Sequence, residues 1–247
     1  DKMMKEEREN ERKNRELITN LSHDIKTPLT SIINYVNLIK LEQIDNERVN
    51  GYIRILDAKS QRLKQLTEDL VETSRITSGN VKLDMQKIDL VELIYQTAGE
   101  FNEKFEAKEL TIVTKLPKTE VMIRADGRQL YRVIENLYNN VAKYALEKTR
   151  VYVDVHVLEE KVTFSIKNVS ERSLALENSN AGDLTERFIR GDASRTTEGS
   201  GLGLSIAKSL TQLMGGIFFI GVDGDLFKAS ITFPLYRETQ QENNIDE

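Results

Sequence analysis

The chain has 247 residues, of which 35 are basic and 40 acidic, for a net charge of -5, with 39% hydrophobic residues and no cysteine. That length allows two modest domains, each with a core of its own. The absence of cysteine excludes disulfides and thiolate metal sites, the lack of any block of like charge argues against nucleic acid as a direct ligand, and the longest apolar run, GGIFFIGV, is far short of the roughly 18 residues of a membrane span.

The first segment, DKMMKEERENERKNREL, is a charged helical pattern without a start cap. It reads as the end of a helix begun further upstream, in a part that holds a sensor. In LITNLSHDIKTPLTSI and beyond, Ile18, Leu21, Ile25, Ile32 and Ile39 recur three and four apart, with Pro28 and Tyr35 in the intervening seam positions, and predict a buried helical stripe. His23 is two residues from both Leu21 and Ile25. At roughly 100° per residue it faces water. Asp24 is placed to accept a hydrogen bond from the Nδ1 proton, which leaves Nε2 free as a nucleophile. The plain alternative is a surface histidine with no chemistry.

After the polar connection EQIDNE, a second helix carries Val49, Tyr52, Leu56, Leu63, Leu66 and Leu70 on one seam, which predicts a helical hairpin. A lone hairpin leaves much of its apolar stripe bare, so two hairpins pairing as a dimeric four-helix bundle, a homodimer, is the expectation. The turn-rich TSGN, Thr77 to Asn80, ends this domain. The predicted division is a helical domain over residues 1–78 and a second domain over 79–236.

In the second domain VKLDMQKI alternates like a strand, and DLVELIYQTAGEFNEKFEAKE reads as a helix with Asp89 as its N-cap. LTIVTKL and EVMIRAD are predicted strands, and GRQLYRVIENLYNNVAKYA a second helix. RVYVDVHV and KVTFSIKN are strands joined by the turn LEEK, and a long polar loop follows from Val169 to about Ser200. A helix is predicted from about Leu202 to Met214, and GIFFIGVDGDLFKASITFPL closes as a hairpin. Strands paired by hairpins with helices gathered on one face make an α+β sandwich. His156 is assigned to the face opposite Val151, Val153, Val155 and Val157, without a function. The polar tail RETQQENNIDE, residues 237–247, is expected to be disordered.

EGSGLGLSIAK sets Gly199, Gly201 and Gly203 directly before a helix, where glycines admit close backbone approach and free N–H groups meet phosphate. A Rossmann fingerprint would want glycine at 204 or 206, where Leu204 and Ile206 stand, and no Gly-Lys-Ser/Thr follows to make a P-loop. A ligand-free glycine-rich turn is the alternative. In IENLYNNVAKYA, residues Asn136, Asn140, Lys143 and Tyr144 share one helix face. Amide oxygens there suit a partly hydrated Mg²⁺ and the lysine suits phosphates, whereas Glu135 and Asn139 read as solvated.

Taken together, these segments resemble a known family. LSHDIKTPLTSI resembles the H-box of sensor histidine kinases of two-component systems, NLYNNVAKY their N-box, LTERFIRGDASR the F-box region and GSGLGLSIAK the G2 box, in that order from about Leu21 to Leu235. The resemblance implies a dimeric helical domain carrying a phosphoacceptor histidine, followed by a Bergerat-type ATP-binding α/β sandwich, with ATP and Mg²⁺ as cofactors and a response regulator as partner. It also implies that the chain is the cytoplasmic portion of a membrane-anchored bacterial sensor. By the same resemblance His23 is the phosphoacceptor and Asp24 its orienting acid. Asn140 binds Mg²⁺, with Asn136, Lys143 and Tyr144 in the nucleotide site. Arg195 is aimed at the γ-phosphate, and Gly199, Gly201 and Gly203, with Leu204, make the phosphate loop. Phe188 is a lid anchor or ordinary packing. Thr27, on the His23 face, is a water-positioning residue for dephosphorylating the regulator, or plain helix surface.

One motif departs from the family. Where the family reads Asp-x-Gly-x-Gly, this chain has KNVSERS, with Asn168 at the position whose acid accepts from the adenine amino group. Its carboxamide oxygen can still accept, without the charge that makes such bonds roughly twice as strong, so weak ATP affinity is expected. Two rivals stay open. One is a gyrase- or chaperone-like ATPase, which would carry a glutamate where Asn136 stands; the other is a regulator-binding pseudokinase scaffold.

Overall fold

The structure is a computed structural model and describes residues 25–42, 44–77, 81–171 and 202–237. A first compact unit runs to Lys82 and a second begins at Leu83.

In the first unit, helix α1 (residues 25–41) and helix α2 (Glu47–Thr77) are joined by a short connection. Asn46 ends that connection by accepting the Val49 N–H at 3.2 Å on its side chain, an N-cap geometry. Lys40 on α1 pairs with Asp57 on α2, and the hydrogen bond from Lys40 holds the Asp57 carboxyl below its usual range. Buried on α1 are Leu29 and Val36, and on α2 Ile53, Ser60, Thr67 and Ser74, one every seven residues, together with Asp69 and Ile76. The stripe predicted from periodicity is the row that this single hairpin leaves largely bare. Ile25 is only half-buried, while Ile32, Tyr35 and Ile39 on α1 and Tyr52, Leu56, Leu63 and Leu70 on α2 are exposed, Tyr35 to 68%. The exposed apolar row lies beside the buried one, which on α2 is largely polar, and a single hairpin covers only one of the two.

The second unit is built on a sheet of strands β2 (Thr111–Lys115), β4 (Arg150–Leu158), β5 (Lys161–Val169), β7 (Leu226–Pro234) and β6 (Ile217–Asp223), in that spatial order. Pairing is antiparallel except between β2 and β4, which run parallel. The sheet is therefore mixed and not made of hairpins alone, because helix α5 (Gly127–Tyr144) falls between β2 and β4 in the chain and serves as a crossover. Strands β1 (Gln86–Asp89) and β3 (Met122–Ala125) form a separate antiparallel ribbon. Val151, Val153, Val155, Val162, Phe164, Ile166, Ala229, Ile231 and Phe233 are buried on the inner face. Helix α3 (Leu90–Glu100), α5 and α6 (Gly203–Leu213) cover that face. On the outer face Lys167 pairs with Asp154 at 2.8 Å and the Thr163 and Thr232 hydroxyls are 2.8 Å apart. His156 lies exposed there beside Thr163, while Val157, past the helix layer, is exposed as well.

Asp89 caps α3 as expected, its Oδ1 accepting from Val91 N at 3.0 Å and from Val121 N at 3.1 Å. The helix predicted to run on from there breaks at Phe101, and a short α4 (Asn102–Ala107) follows. The break lets two rings reach one partner: Phe101 stacks on Tyr138 of α5 at 5.4 Å, and Phe105 meets the same ring at 6.0 Å. At the other end of the core, α6 stops at a glycine pair. Gly215 is left-handed at φ 80, and Gly216 N donates back to Thr211 O at 2.9 Å, closing a Schellman-type turn.

Candidate nucleotide site

Helix α5 is amphipathic, with Leu130, Val133, Ile134, Leu137, Tyr138 and Val141 buried. Asn136, Asn140, Lys143 and Tyr144 are half-buried and occupy an arc of about 100° along one flank of that stripe. Lys143 Nζ lies 4.8 Å over the Tyr144 ring. Next to that arc, on the solvent side, exposed Asn139 accepts from Lys104 Nζ at 3.3 Å. Glu135 is half-buried and not merely solvated. With the hydrogen bond that Tyr131 donates to Glu100 at 2.7 Å as the first cause, burial and the Glu135 charge help push the Tyr131 phenol up to about 12.

The C-terminal end of α5 is laced to the end of β5. Leu146 N donates to Val169 O and Glu171 N to Tyr144 O, both at 2.9 Å, and Ala145 bridges to Ser170. Beside this junction Asn168 sits in register between Val151 of β4 and Phe227 of β7, only 1% exposed. Its Nδ2 donates to Val169 O at 3.0 Å, and its Oδ1 is buried with no hydrogen-bond partner among the described residues. A buried acceptor left unmade costs about 1–3 kcal/mol, so Asn168 Oδ1 calls for a donor that none of the described residues supplies.

The start of α6 closes in from the opposite side. A Cβ on Gly203 would lie 3.0 Å from Asn136 Oδ1, so only glycine lets the end of the glycine-rich segment reach that amide unhindered. The side chain of Leu204 is buried in the core, which leaves its backbone as the part able to face a ligand. The structure thus brings together the α5 arc and Gly203, and ties the chain beside Asn168 to the end of that arc. Thr27 is exposed on α1, in the other unit. His23, Asp24, Phe188, Arg195, Gly199 and Gly201 lie outside the described residues.

Among the described residues no cluster of His, Cys, Asp or Glu could hold a metal. A divalent ion here would depend on the Asn140 amide oxygen together with oxygens of a phosphate and of water. Two residues not singled out in the sequence hold the ends of α5. Asp126 caps it, Oδ1 accepting from Gln129 N at 3.0 Å, and its Oδ2 accepts from Asp84 N at 2.9 Å. Lys108 reaches the last carbonyls, those of Lys143 at 3.0 Å and Ala145 at 3.2 Å. An aspartate ahead of Gly127 was a readable capping signal, whereas nothing local to Lys108 announces its role.

Residues 13–79 match the His Kinase A (phospho-acceptor) domain family, and residues 125–238 match the family of histidine kinase-, DNA gyrase B- and HSP90-like ATPases. The chain is similar to the sensor protein VanSC of Enterococcus gallinarum, 34% identical over 212 residues that make up 85% of this chain and 57% of that protein. It is also similar to the sensor histidine kinase WalK of Bacillus subtilis (strain 168), 26% identical over 246 residues, or 98% of this chain and 40% of that protein. The chain thus spans about half the length of these curated relatives. Among solved structures, full-length ShkA in complex with AMPPNP shares the fold at a TM-score of 0.74 and 23% identity, over 91% of this chain and 46% of that one. A phosphoacceptor domain followed by this ATPase domain, in a chain with these relatives, means that the chain belongs to the sensor histidine kinases of two-component systems.

Proposed function

We propose that the chain phosphorylates itself on His23 from ATP and passes the phosphoryl group to an aspartate of a response regulator. The observation that carries the ATP side is the unpartnered Asn168 Oδ1, buried next to the strand end that is tied to the C-terminus of α5. An exocyclic amino group on a purine is a donor of the kind this acceptor lacks. Asn136 and Asn140, with Lys143 and Tyr144, then line the triphosphate side, and the Gly203 cradle fits close approach of phosphate to backbone. Gly199, Gly201, Leu204 and Arg195 complete that side. Asn140 would hold a Mg²⁺ ion, whose charge would offset that of the phosphates.

In this reading residues 1–78 form the phosphotransfer domain and 79–236 the ATP-binding domain; the tail expected past 237 lies outside the described residues. His23 Nε2 forms the N–P bond as the bond from the γ-phosphorus to ADP oxygen breaks, and Asp24 takes the Nδ1 proton. Thr27 positions water for dephosphorylating the regulator. The exposed seam of Ile32, Tyr35, Ile39, Leu56, Leu63 and Leu70 supports a homodimer, since a second hairpin would cover it. The chain would be the cytoplasmic part of a membrane-anchored sensor; among its described residues no helix is long and apolar enough to cross a membrane. Asn136 is an amide and accepts no proton, which disfavours the ATP-hydrolysing alternative.

Incubation with γ-labelled ATP and Mg²⁺ tests the proposal. Acid-labile, alkali-stable label on the protein is expected; free phosphate alone would point to an ATPase, and neither product to a scaffold. A second measurement addresses Asn168. Replacement by aspartate gives the adenine amino group a charged acceptor, worth on the order of 1 kcal/mol over a neutral one, so ATP should bind about five- to tenfold tighter. Inosine triphosphate, which presents a carbonyl there, should gain much less. Equal changes for both nucleotides in calorimetric titration would put Asn168 outside the base pocket.

A further inference from the structure

We infer that Lys108 is a positioning residue for the triphosphate, clamping the last turn of α5 and offsetting the negative pole of that helix. The inference rests on the ATP reading above.

The last carbonyls of a helix have no partner within it, and together they carry roughly half an elementary negative charge. Lys143 and Tyr144 are the final two residues of α5, and Asn140 lies one turn before Lys143, so the arc assigned to the phosphates is at the helix end least hospitable to them. Three consecutive carbonyls there are taken up from outside the helix. Tyr144 O accepts from Glu171 N, while Lys143 O and Ala145 O both accept from the one Lys108 ammonium. Among the described residues this ammonium meets no carboxylate. Its charge is therefore not neutralised by a side chain and acts on the helix pole.

The backbone of Lys108 is held as firmly as its side chain. Its N–H donates to Phe105 O at 3.2 Å, and its carbonyl accepts from Lys148 N at 3.0 Å. Glu109 and Lys148, at φ 52 and φ 61, turn the chain left-handed at adjacent points, and their side chains pair at 3.4 Å. Non-glycine residues held in that region on both sides keep Lys108 under the end of α5. A lysine fixed there sets the backbone from which Lys143 and Tyr144 project, and it lowers the repulsion a polyanion would meet.

The test uses the full chain with Lys108→Met, which keeps the aliphatic stem and removes charge and donors. Calorimetry should give an ATP Kd raised about three- to tenfold, and autophosphorylation a KM raised in step with kcat changed less than twofold, the split expected when ground-state and transition-state binding are lost equally. Adenosine, without phosphates, should lose less than twofold, and Lys108→Arg should restore most of the ATP affinity. Lys108→Gln keeps a donor without the charge, so it provides a folded comparison should the methionine variant not fold, and it too should lose ATP affinity several-fold. Unchanged ATP affinity in these variants, or an equal loss for ATP and adenosine, overturns the inference. A wild-type chain that binds no ATP overturns the nucleotide reading itself, a result distinct from both.

Discussion

Replacing His23 by glutamine is expected to remove all acid-labile label while ATP affinity and dimerisation stay at wild-type values. Glutamine keeps polar bulk and good helix propensity but has no nitrogen lone pair able to attack phosphorus. The apolar pattern sets His23 two residues from both Leu21 and Ile25, away from the stripe those residues begin, so the exchange removes no packing. The expected fall in labelling is to background, at least a hundredfold on the order of what loss of a covalent nucleophile gives. Autoradiography after acid and alkali treatment reads the chemistry, calorimetry reads ATP, and sedimentation reads the dimer. Persistent acid-labile label, or a variant that no longer folds, would show that His23 is not the acceptor or not on the free face.

The largest stability effect is expected at Gly216. A Cβ built there would lie 2.6 Å from Phe233 Cε1, 2.7 Å from its Cζ and 2.9 Å from Thr211 Cγ2. Neither neighbour can step aside, because Phe233 is 1% exposed and Thr211 fully buried, its hydroxyl donating to Ala207 O at 2.7 Å. Gly216 itself is pinned by its bond to Thr211 O. Overpacking of this kind costs about 1–3 kcal/mol or somewhat more. At about 2–4 °C per kcal/mol for a domain of this size, Gly216→Ala should melt roughly 2–12 °C below wild type. The pair Gly216→Ala with Phe233→Leu should recover part of the loss, since the smaller side chain vacates the ring position. An unchanged melting temperature in the single variant would mean that the α6–β6 turn is looser than its contacts indicate.

How much of this could be read from sequence depended on whether the signal was local. Asp89 as a cap, the α5 amphipathic pattern and the β4–β5 and β6–β7 hairpins are set by short-range chemistry, and all four are present in the structure. The break at Phe101 was invisible, because helical periodicity continues through it and only the distant Tyr138 ring makes the bend favourable. Periodicity picked out the row through Ile32, which a single hairpin leaves exposed, and passed over the row of Leu29 and Val36, which is buried within it. For the nucleotide site, motif spacing picked out the α5 arc, Gly203 and Asn168. The empty valence on Asn168 and the closeness of Gly203 to Asn136 are tertiary facts, as is the reach of Lys108 across from α4.

Asp126 uses one carboxylate for two tasks, starting α5 with one oxygen and holding the backbone of Asp84 with the other. The backbone of Asp84 is thereby fixed to the start of a helix 42 residues further along the chain. The 18-residue helix that begins there is about 27 Å long, at about 1.5 Å per residue. One carboxylate thus anchors Asp84 at one end of that span, while Lys143 and Tyr144 project at the other.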